Sequence, residues 1–177
     1  MYSAKEISKF IIKLANKRNI LITPLKLQKL LYFAQGYNLV LYNKPLFKET
    51  IERWGHGPVV PEVYQQYKGH ERNPLNETIE NQHFQIEKKI RQVLEITLNK
   101  KGCYTAEDLI DITHEHEIWK QKSKNAIMTK AEIKQFFHSG KKAKKYNINK
   151  ELLDKAREKF KDFQEDWNTP EMDIYNH

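Results

Sequence analysis

The stretch from Glu52 to Tyr64, ERWGHGPVVPEVY, crowds two glycines and two prolines around one tryptophan and one histidine. Glycine-rich turns bind phosphate when a lysine and a hydroxyl residue follow at fixed offsets before a helix. Neither residue follows here, and Pro58 removes a backbone N–H donor that a phosphate would need. The three-glycine dinucleotide fingerprint is also missing. The stretch therefore predicts a structural corner, and we expect no cofactor.

The same residues specify a stiff corner that leads from an extended segment into a helix. Gly55 and Gly57 adopt a positive φ at little cost, and Pro61 presets the first turn of the next helix. We expect Trp54 to anchor the corner in the core and His56 to lie at its tip. A rigid turn that presents rings loses little entropy on binding, so the corner also suits protein recognition.

A second stretch with candidate chemistry is THEHEIW, residues 113–119, which carries His114 and His116. Side chains two residues apart on a helix point in different directions. His114 and His116 could therefore bind the same metal ion only if this segment were extended. No HExxH pattern follows, the single Cys103 is too solitary to complete a metal site, and no Ser-His-Asp set stands out. We therefore predict neither a metal site nor catalytic residues, and we expect the protein not to be an enzyme.

Composition predicts one cytoplasmic globular domain. The chain has 177 residues, of which 39% are hydrophobic and 31% are charged, and it carries one cysteine. We see no signal-peptide pattern and no apolar run near the ~18 residues that a membrane helix needs. Ten basic and three acidic residues fall in the first 53 positions, so most of the net charge of +8 lies there. Such a segment suits an anionic partner, either nucleic acid or the acidic face of another protein, or it is simply a solvated surface.

Hydrophobic periodicity predicts a mainly α fold, a single compact domain of six or seven helices with a small two-stranded β-ribbon. Capping signals begin helices near Ser3, Thr23, Thr105 and Thr129. The segment LKLQKLLYFAQGYNLVLY is apolar on nearly every side, which is typical of a central core helix. Gly36 within it favours close approach of a neighbouring element. We expect the ribbon to pair LFKETIERW with NETIE near Ile79.

Three motifs together resemble the Panacea domain, also called the SocA-like antitoxin domain. The first is the Lys-Leu-Leu-Tyr of the core helix, the second the Trp-x-x-Gly-Pro-Val-x-Pro corner, and the third a Thr-His-x-x-x-x-Trp segment. The matching residues are Lys29, Leu30, Leu31, Tyr32, Trp54, Gly57, Pro58, Val59, Pro61, Thr113, His114 and Trp119. The resemblance covers residues 1–138, which leaves a basic linker at 139–148 and a C-terminal helix and tail at 149–177.

The resemblance implies an antitoxin of a bacterial or phage toxin–antitoxin pair that binds its toxin protein directly. It also implies, in one mode of action, delivery of the toxin to a cellular protease. The candidate protein-binding residues lie on the rigid corner or just after it. They are Arg53, His56, Tyr64 and Tyr67. A competing hypothesis gives recognition to the C-terminal arm, residues 149–177.

Two other functions stay open from the sequence. A phage-borne inhibitor of a host or defence protein would have the same features. A nucleic-acid-binding regulator would use the lysines at 5, 9, 13 and 17 and the KKAKK cluster at 141–145. No recognition helix rich in Arg, Asn and Gln appears, so nucleic acid is the less favoured partner.

Overall fold

The computed structural model describes residues 1–76 and 86–139. These residues form seven α-helices, one 3₁₀ turn and three short strands, which confirms the mainly α prediction. In chain order the elements are α1 (Ala4–Asn16), α2 (Pro24–Tyr42), β1 (Ile51–Trp54), β2 (Gly57–Val59), α3 (Pro61–Tyr67), the 3₁₀ turn (Lys68–His70), α4 (Lys88–Lys101), α5 (Ala106–His114), α6 (Glu117–Lys120), β3 (Ile127–Met128) and α7 (Lys130–Ser139).

The starts of α1, α2 and α5 follow the capping signals of the sequence. Ser3 and Glu6 form a reciprocal capping box at α1, and Thr105 and Asp108 form one at α5. The Thr23 hydroxyl accepts a hydrogen bond from the Lys26 N–H at the start of α2. Each box satisfies backbone donors that the first helical turn leaves without intrahelical partners, so these boundaries were predictable from local sequence.

Helix α2 lies at the centre of the fold. Its residues from Lys26 to Leu39 are all buried, and α1, α4, α5, α7 and β2 pack around it. Gly36 lies against the ring of Phe137 from α7, and a Cβ at position 36 would come within 2.5 Å of that ring. The prediction of a close approach at Gly36 is therefore confirmed, and α7 is the element that makes it.

The strands form a three-stranded antiparallel sheet in the order β2-β1-β3. Trp54 pairs with Gly57 across a two-residue loop, and Glu52 pairs with Ile127 of β3. The predicted partner strand, NETIE, lies outside the described residues except for Asn76. Among the described residues, strand β1 pairs with β2 directly after it, across a two-residue loop that closes with little loss of chain entropy, and with β3 on its other side.

Buried amides of α2 attach the strand region to the core. The Gln28 side-chain oxygen accepts a hydrogen bond from the Val60 N–H at 2.8 Å, just after β2. Gln35 accepts from the Leu46 N–H at 2.7 Å and donates to the Phe47 carbonyl at 3.2 Å. Because buried polar groups are costly without partners, these bonds fix the course of the chain on both sides of the hairpin.

In the two described ranges, no helix combines the length and apolarity that crossing a membrane requires. The predicted linker at 139–148 and the predicted helix and tail at 149–177 lie outside the described residues, apart from Ser139.

Candidate recognition site

The corner of the sequence is a tight β-hairpin. Gly55 and His56 form its two-residue loop, and both are exposed. Gly57, the first residue of β2, has a φ of 95°, which L side chains rarely adopt. Gly55 does not share this positive φ, so the expectation of two left-handed glycines holds for Gly57 alone. His56 lies at the tip, as predicted.

A buried lysine supports the hairpin from below. Lys29 of α2 is fully buried, and its Nζ donates a hydrogen bond to the Pro58 carbonyl at 3.0 Å. A Cβ on Gly57 would lie 2.8 Å from the Lys29 Cε and 2.7 Å from the Thr113 Oγ1. Burial lowers the pKa of Lys29 to about 7. The motif residues Lys29, Gly57, Pro58 and Thr113 thus meet at one point, where α2 and α5 carry the turn.

The last residue of the Lys-Leu-Leu-Tyr motif meets a histidine. The Tyr32 hydroxyl and the His116 Nδ1 share a hydrogen bond of 3.0 Å inside a cluster of rings that includes Phe136 and Phe137. Burial lowers the pKa of His116 to about 3, so the ring is neutral at physiological pH, and burial raises the pKa of Tyr32. This pair is a polar contact of the core, between α2 and the start of α6.

The two histidines of THEHEIW occupy different surroundings. His116 points into the ring cluster, whereas the ring of His114 stacks on Trp119 with centroids 3.9 Å apart. Across residues 1–76 and 86–139, no group of three or more His, Cys, Asp or Glu residues is arranged to hold a metal ion. The described arrangement of both rings is that of packing residues.

Trp54 is half-buried and does not belong to the core, so the prediction that it anchors the core is wrong. Successive side chains of a strand point to opposite faces, and Ile51 takes the core face of β1, which puts Trp54 on the other face. Its indole Nε1 donates to a Glu52 carboxylate oxygen at 2.8 Å. Its ring meets Tyr64 edge-on, with centroids 5.0 Å apart.

Trp119 joins the hairpin to α6. Its indole Nε1 donates to the Trp54 carbonyl at 3.2 Å. The guanidinium carbon of Arg53 lies 4.0 Å from the centroid of the Trp119 ring. The platform role of Trp119 was not predicted from the sequence, although its place in the third motif gave a signal that it matters.

The candidate protein-binding residues divide into two groups. Arg53 is half-buried, His56 is exposed, and Tyr64 is 38% exposed, so all three reach the surface around the hairpin. Tyr67 is only 4% exposed, and its expected place on the recognition surface is therefore corrected. Tyr67 lies four residues after the buried Val63 on α3, so both face the core, while Tyr64 faces outward.

The remaining motif residues are structural. Leu30 and Leu31 are core residues of α2, Val59 is buried in β2, and Pro61 begins α3. Gln28 was missed, although a polar side chain inside an otherwise apolar helix is a signal for a buried hydrogen bond.

Comparison with known proteins agrees with these motifs. The family model described as "Antitoxin SocA-like, Panacea domain" matches residues 27–120, more than half of the chain. Antitoxin SocA of Caulobacter vibrioides (strain NA1000 / CB15N) is 43% identical over 61 residues, which are 34% of this chain and 32% of that protein. The match thus spans about a third of that relative. No solved structure matches the chain at a significant level. The chain belongs to the SocA-like antitoxin family with a Panacea domain.

Proposed function

We propose that this protein is an antitoxin that neutralises a partner toxin by direct protein–protein binding. The family model supports an antitoxin role, because it covers the central helix, the hairpin and the Thr113–Trp119 segment. The observation that carries the binding mode is the hairpin itself. A short exposed turn is held from below by a buried contact with Lys29, and it is flanked by the Trp54–Tyr64 rings on one face of β1 and by the Arg53 guanidinium on the other.

The proposed contact area is the hairpin surface, which we define as Arg53, Trp54, His56 and Tyr64. Aromatic and arginine side chains dominate binding energy at protein interfaces. Trp54 and Tyr64 hold each other in place, and Lys29 and Thr113 fix the turn from below. Because these groups are ordered before contact, little conformational entropy is lost on binding.

Co-expression with a candidate toxin tests the proposed function. The candidate is the product of the reading frame adjacent to this gene, expressed from an inducible promoter in a bacterial host. We expect that product to stop growth alone and growth to continue when this protein is co-expressed. Purified proteins should then form a complex that survives size-exclusion chromatography. Growth arrest that this protein does not relieve would contradict the proposal.

The steady-state level of the tagged toxin distinguishes the two modes of neutralisation. Direct sequestration leaves the toxin level unchanged while growth recovers, and this is the result that the proposal predicts. Delivery to a protease lowers the toxin level, and it makes protection dependent on that protease. A toxin that disappears in wild-type cells and persists in protease-deficient cells would contradict neutralisation by binding alone.

A further inference from the structure

Arg53 is held in place more firmly than a surface arginine usually is. Its backbone N–H donates to the Ala126 carbonyl at 2.9 Å, and its carbonyl accepts from the Asn125 N–H at 2.7 Å. Its guanidinium lies over the Trp119 ring, and its Nε is 3.5 Å from the Trp119 carbonyl oxygen. Stacking on an aromatic face fixes the plane of the guanidinium, so its rotamer freedom is largely lost before any partner arrives.

The charge of Arg53 is not neutralised within the part of the chain that the structure describes. There, no carboxylate oxygen lies within 4.0 Å of its guanidinium, and its two terminal nitrogens make no hydrogen bond. Arg18 and Arg91 differ from it, because both lie within ion-pair distance of Glu95. A half-buried guanidinium that is already oriented, and that has no counter-ion in the described part of the chain, is well suited to bind an anion.

We propose that Arg53 determines specificity for the toxin, by receiving an Asp or Glu carboxylate of the toxin in a bidentate pair. The inference rests on the proposed function and names the chemistry of its partner. The guanidinium offers two parallel N–H donors that match the two oxygens of a carboxylate. A lysine ammonium is a point charge without this fork, and it would not stack on Trp119 in the same way.

The surroundings of Arg53 favour the same partner group. Arg53 lies against Trp119, on the face of β1 opposite to Trp54. The exposed turn begins two residues later, so a toxin that covers the turn and Trp119 would exclude water from the Arg53 pair. Attraction between opposite charges is strengthened where water is excluded. The net charge of +8 on the whole chain would guide an acidic surface toward the protein.

Charge-preserving and charge-reversing variants test the inference against a matched control. Arg53→Lys and Arg53→Glu are compared with Arg72→Lys and Arg72→Glu, because Arg72 is an exposed arginine outside the hairpin surface. The dissociation constant is measured for the purified product of the adjacent reading frame. We expect Arg53→Lys to weaken binding at least ~30-fold, as at an interface hot spot. Both Arg72 variants should stay within about twofold of wild type.

A thermal melt of each variant separates loss of binding from loss of folding. Lysine keeps the long side chain and the positive charge, so Arg53→Lys should unfold in the same cooperative manner as wild type. Equal binding by Arg53→Lys and wild type would overturn the inference and leave the antitoxin function intact. Failure of the wild-type protein to bind or protect would overturn the proposed function, and this inference with it.

Suppressor selection identifies the group that Arg53 contacts. Cells that express Arg53→Glu with a randomly mutated but still toxic toxin gene are selected for restored protection. We expect suppressor toxins in which an Asp or Glu is replaced by Lys or Arg. We also expect that the wild-type protein no longer protects cells from these toxin variants. Suppressors that change only apolar positions would overturn the carboxylate assignment.

Discussion

At the scale of single residues, Lys29 has the most unusual environment. Its amine is fully buried under the hairpin, and its hydrogen bond goes to a neutral carbonyl, that of Pro58. Burial is the cause of its lowered pKa, because an ammonium loses hydration there without gaining a counter-charge. Lys29 thus supports the hairpin through its hydrogen bond, and burial disfavours the charged form of its amine.

Lys29 should make stability depend on pH. Its pKa in the folded protein is about 7, below the value of 10.5 that is usual for a lysine in water. Between these values the unfolded chain binds the proton more tightly, so the free energy of unfolding rises with pH above about 7. Relative to Lys29→Met, we expect wild type to gain about 2 kcal/mol between pH 7 and 9.

Urea denaturation of both proteins at several pH values measures this difference. Subtracting the Lys29→Met curve removes the titration of other lysines whose pKa burial also lowers, Lys26, Lys100 and Lys101. A difference between the two curves that stays flat from pH 7 to 9 would show that Lys29 titrates normally in the folded state.

At the scale of elements, the two glycines of the hairpin have different roles. Gly57 combines a φ of 95° with close approach of Thr113 and Lys29, whereas a Cβ on Gly55 would meet no atom within 4 Å. We expect Gly57→Ala to destabilise the fold by about 2–4 kcal/mol, from backbone strain and overpacking together. Gly55→Ala should change stability by at most about 0.5 kcal/mol.

Denaturation midpoints of the two variants provide the measurement, with Gly55→Ala as the matched control. Both substitutions add one methyl group within the same turn, so their difference reports local geometry alone. Similar midpoints for the two variants would mean that the turn relaxes freely, and it would remove the reason for calling the hairpin preorganised.

Local sequence determined many elements, and distant pairing determined the rest. Helices α1, α2 and α5 were predictable because their caps and apolar faces are encoded within a few residues. Strand β3 was not, because two residues, Ile127 and Met128, carry no alternation pattern, and they pair with β1 from more than 70 positions away. The burial of Tyr67 was predictable from its spacing to Val63 and was overlooked.

The site was predictable in its location and less so in its detail. The glycine–proline motif indicated the corner and the exposure of His56 correctly. The alternation of side chains along β1 places Trp54 on the outer face, whereas the glycine–proline motif alone led to the expectation that Trp54 lies in the core. The stacking of Arg53 on Trp119 joins residues 66 positions apart, so only the fold brings them together.

At the scale of the whole molecule, recognition by the hairpin surface and recognition by the C-terminal arm predict different results for a truncated protein. The described contacts that support the hairpin surface come from Lys29, Thr113 and Trp119, which precede residue 140. We therefore expect a protein without residues 141–177 to fold and to protect cells from the toxin as well as the full chain does. Growth in the co-expression assay and the far-UV circular dichroism spectrum measure the two properties.

Loss of protection by this truncated protein, with an unchanged helical spectrum, would assign recognition to the arm. Full-length proteins with substitutions at Arg53, or at His56 and Tyr64, would then protect cells as well as wild type does. This pair of results would contradict the hairpin surface as the site of binding and would leave the proposed antitoxin function in place.

The most direct test of the central claim is the affinity of the hairpin surface for the toxin. Isothermal titration calorimetry compares wild type with His56→Ala combined with Tyr64→Ala, using the purified product of the adjacent reading frame. Gln65→Ala with Gln66→Ala is the control, because both glutamines are exposed on α3 outside the hairpin surface. We predict a loss of at least ~30-fold in affinity for the hairpin pair, an unchanged helical spectrum, and near wild-type affinity for the control. Wild-type affinity in the folded His56/Tyr64 double variant would contradict the account.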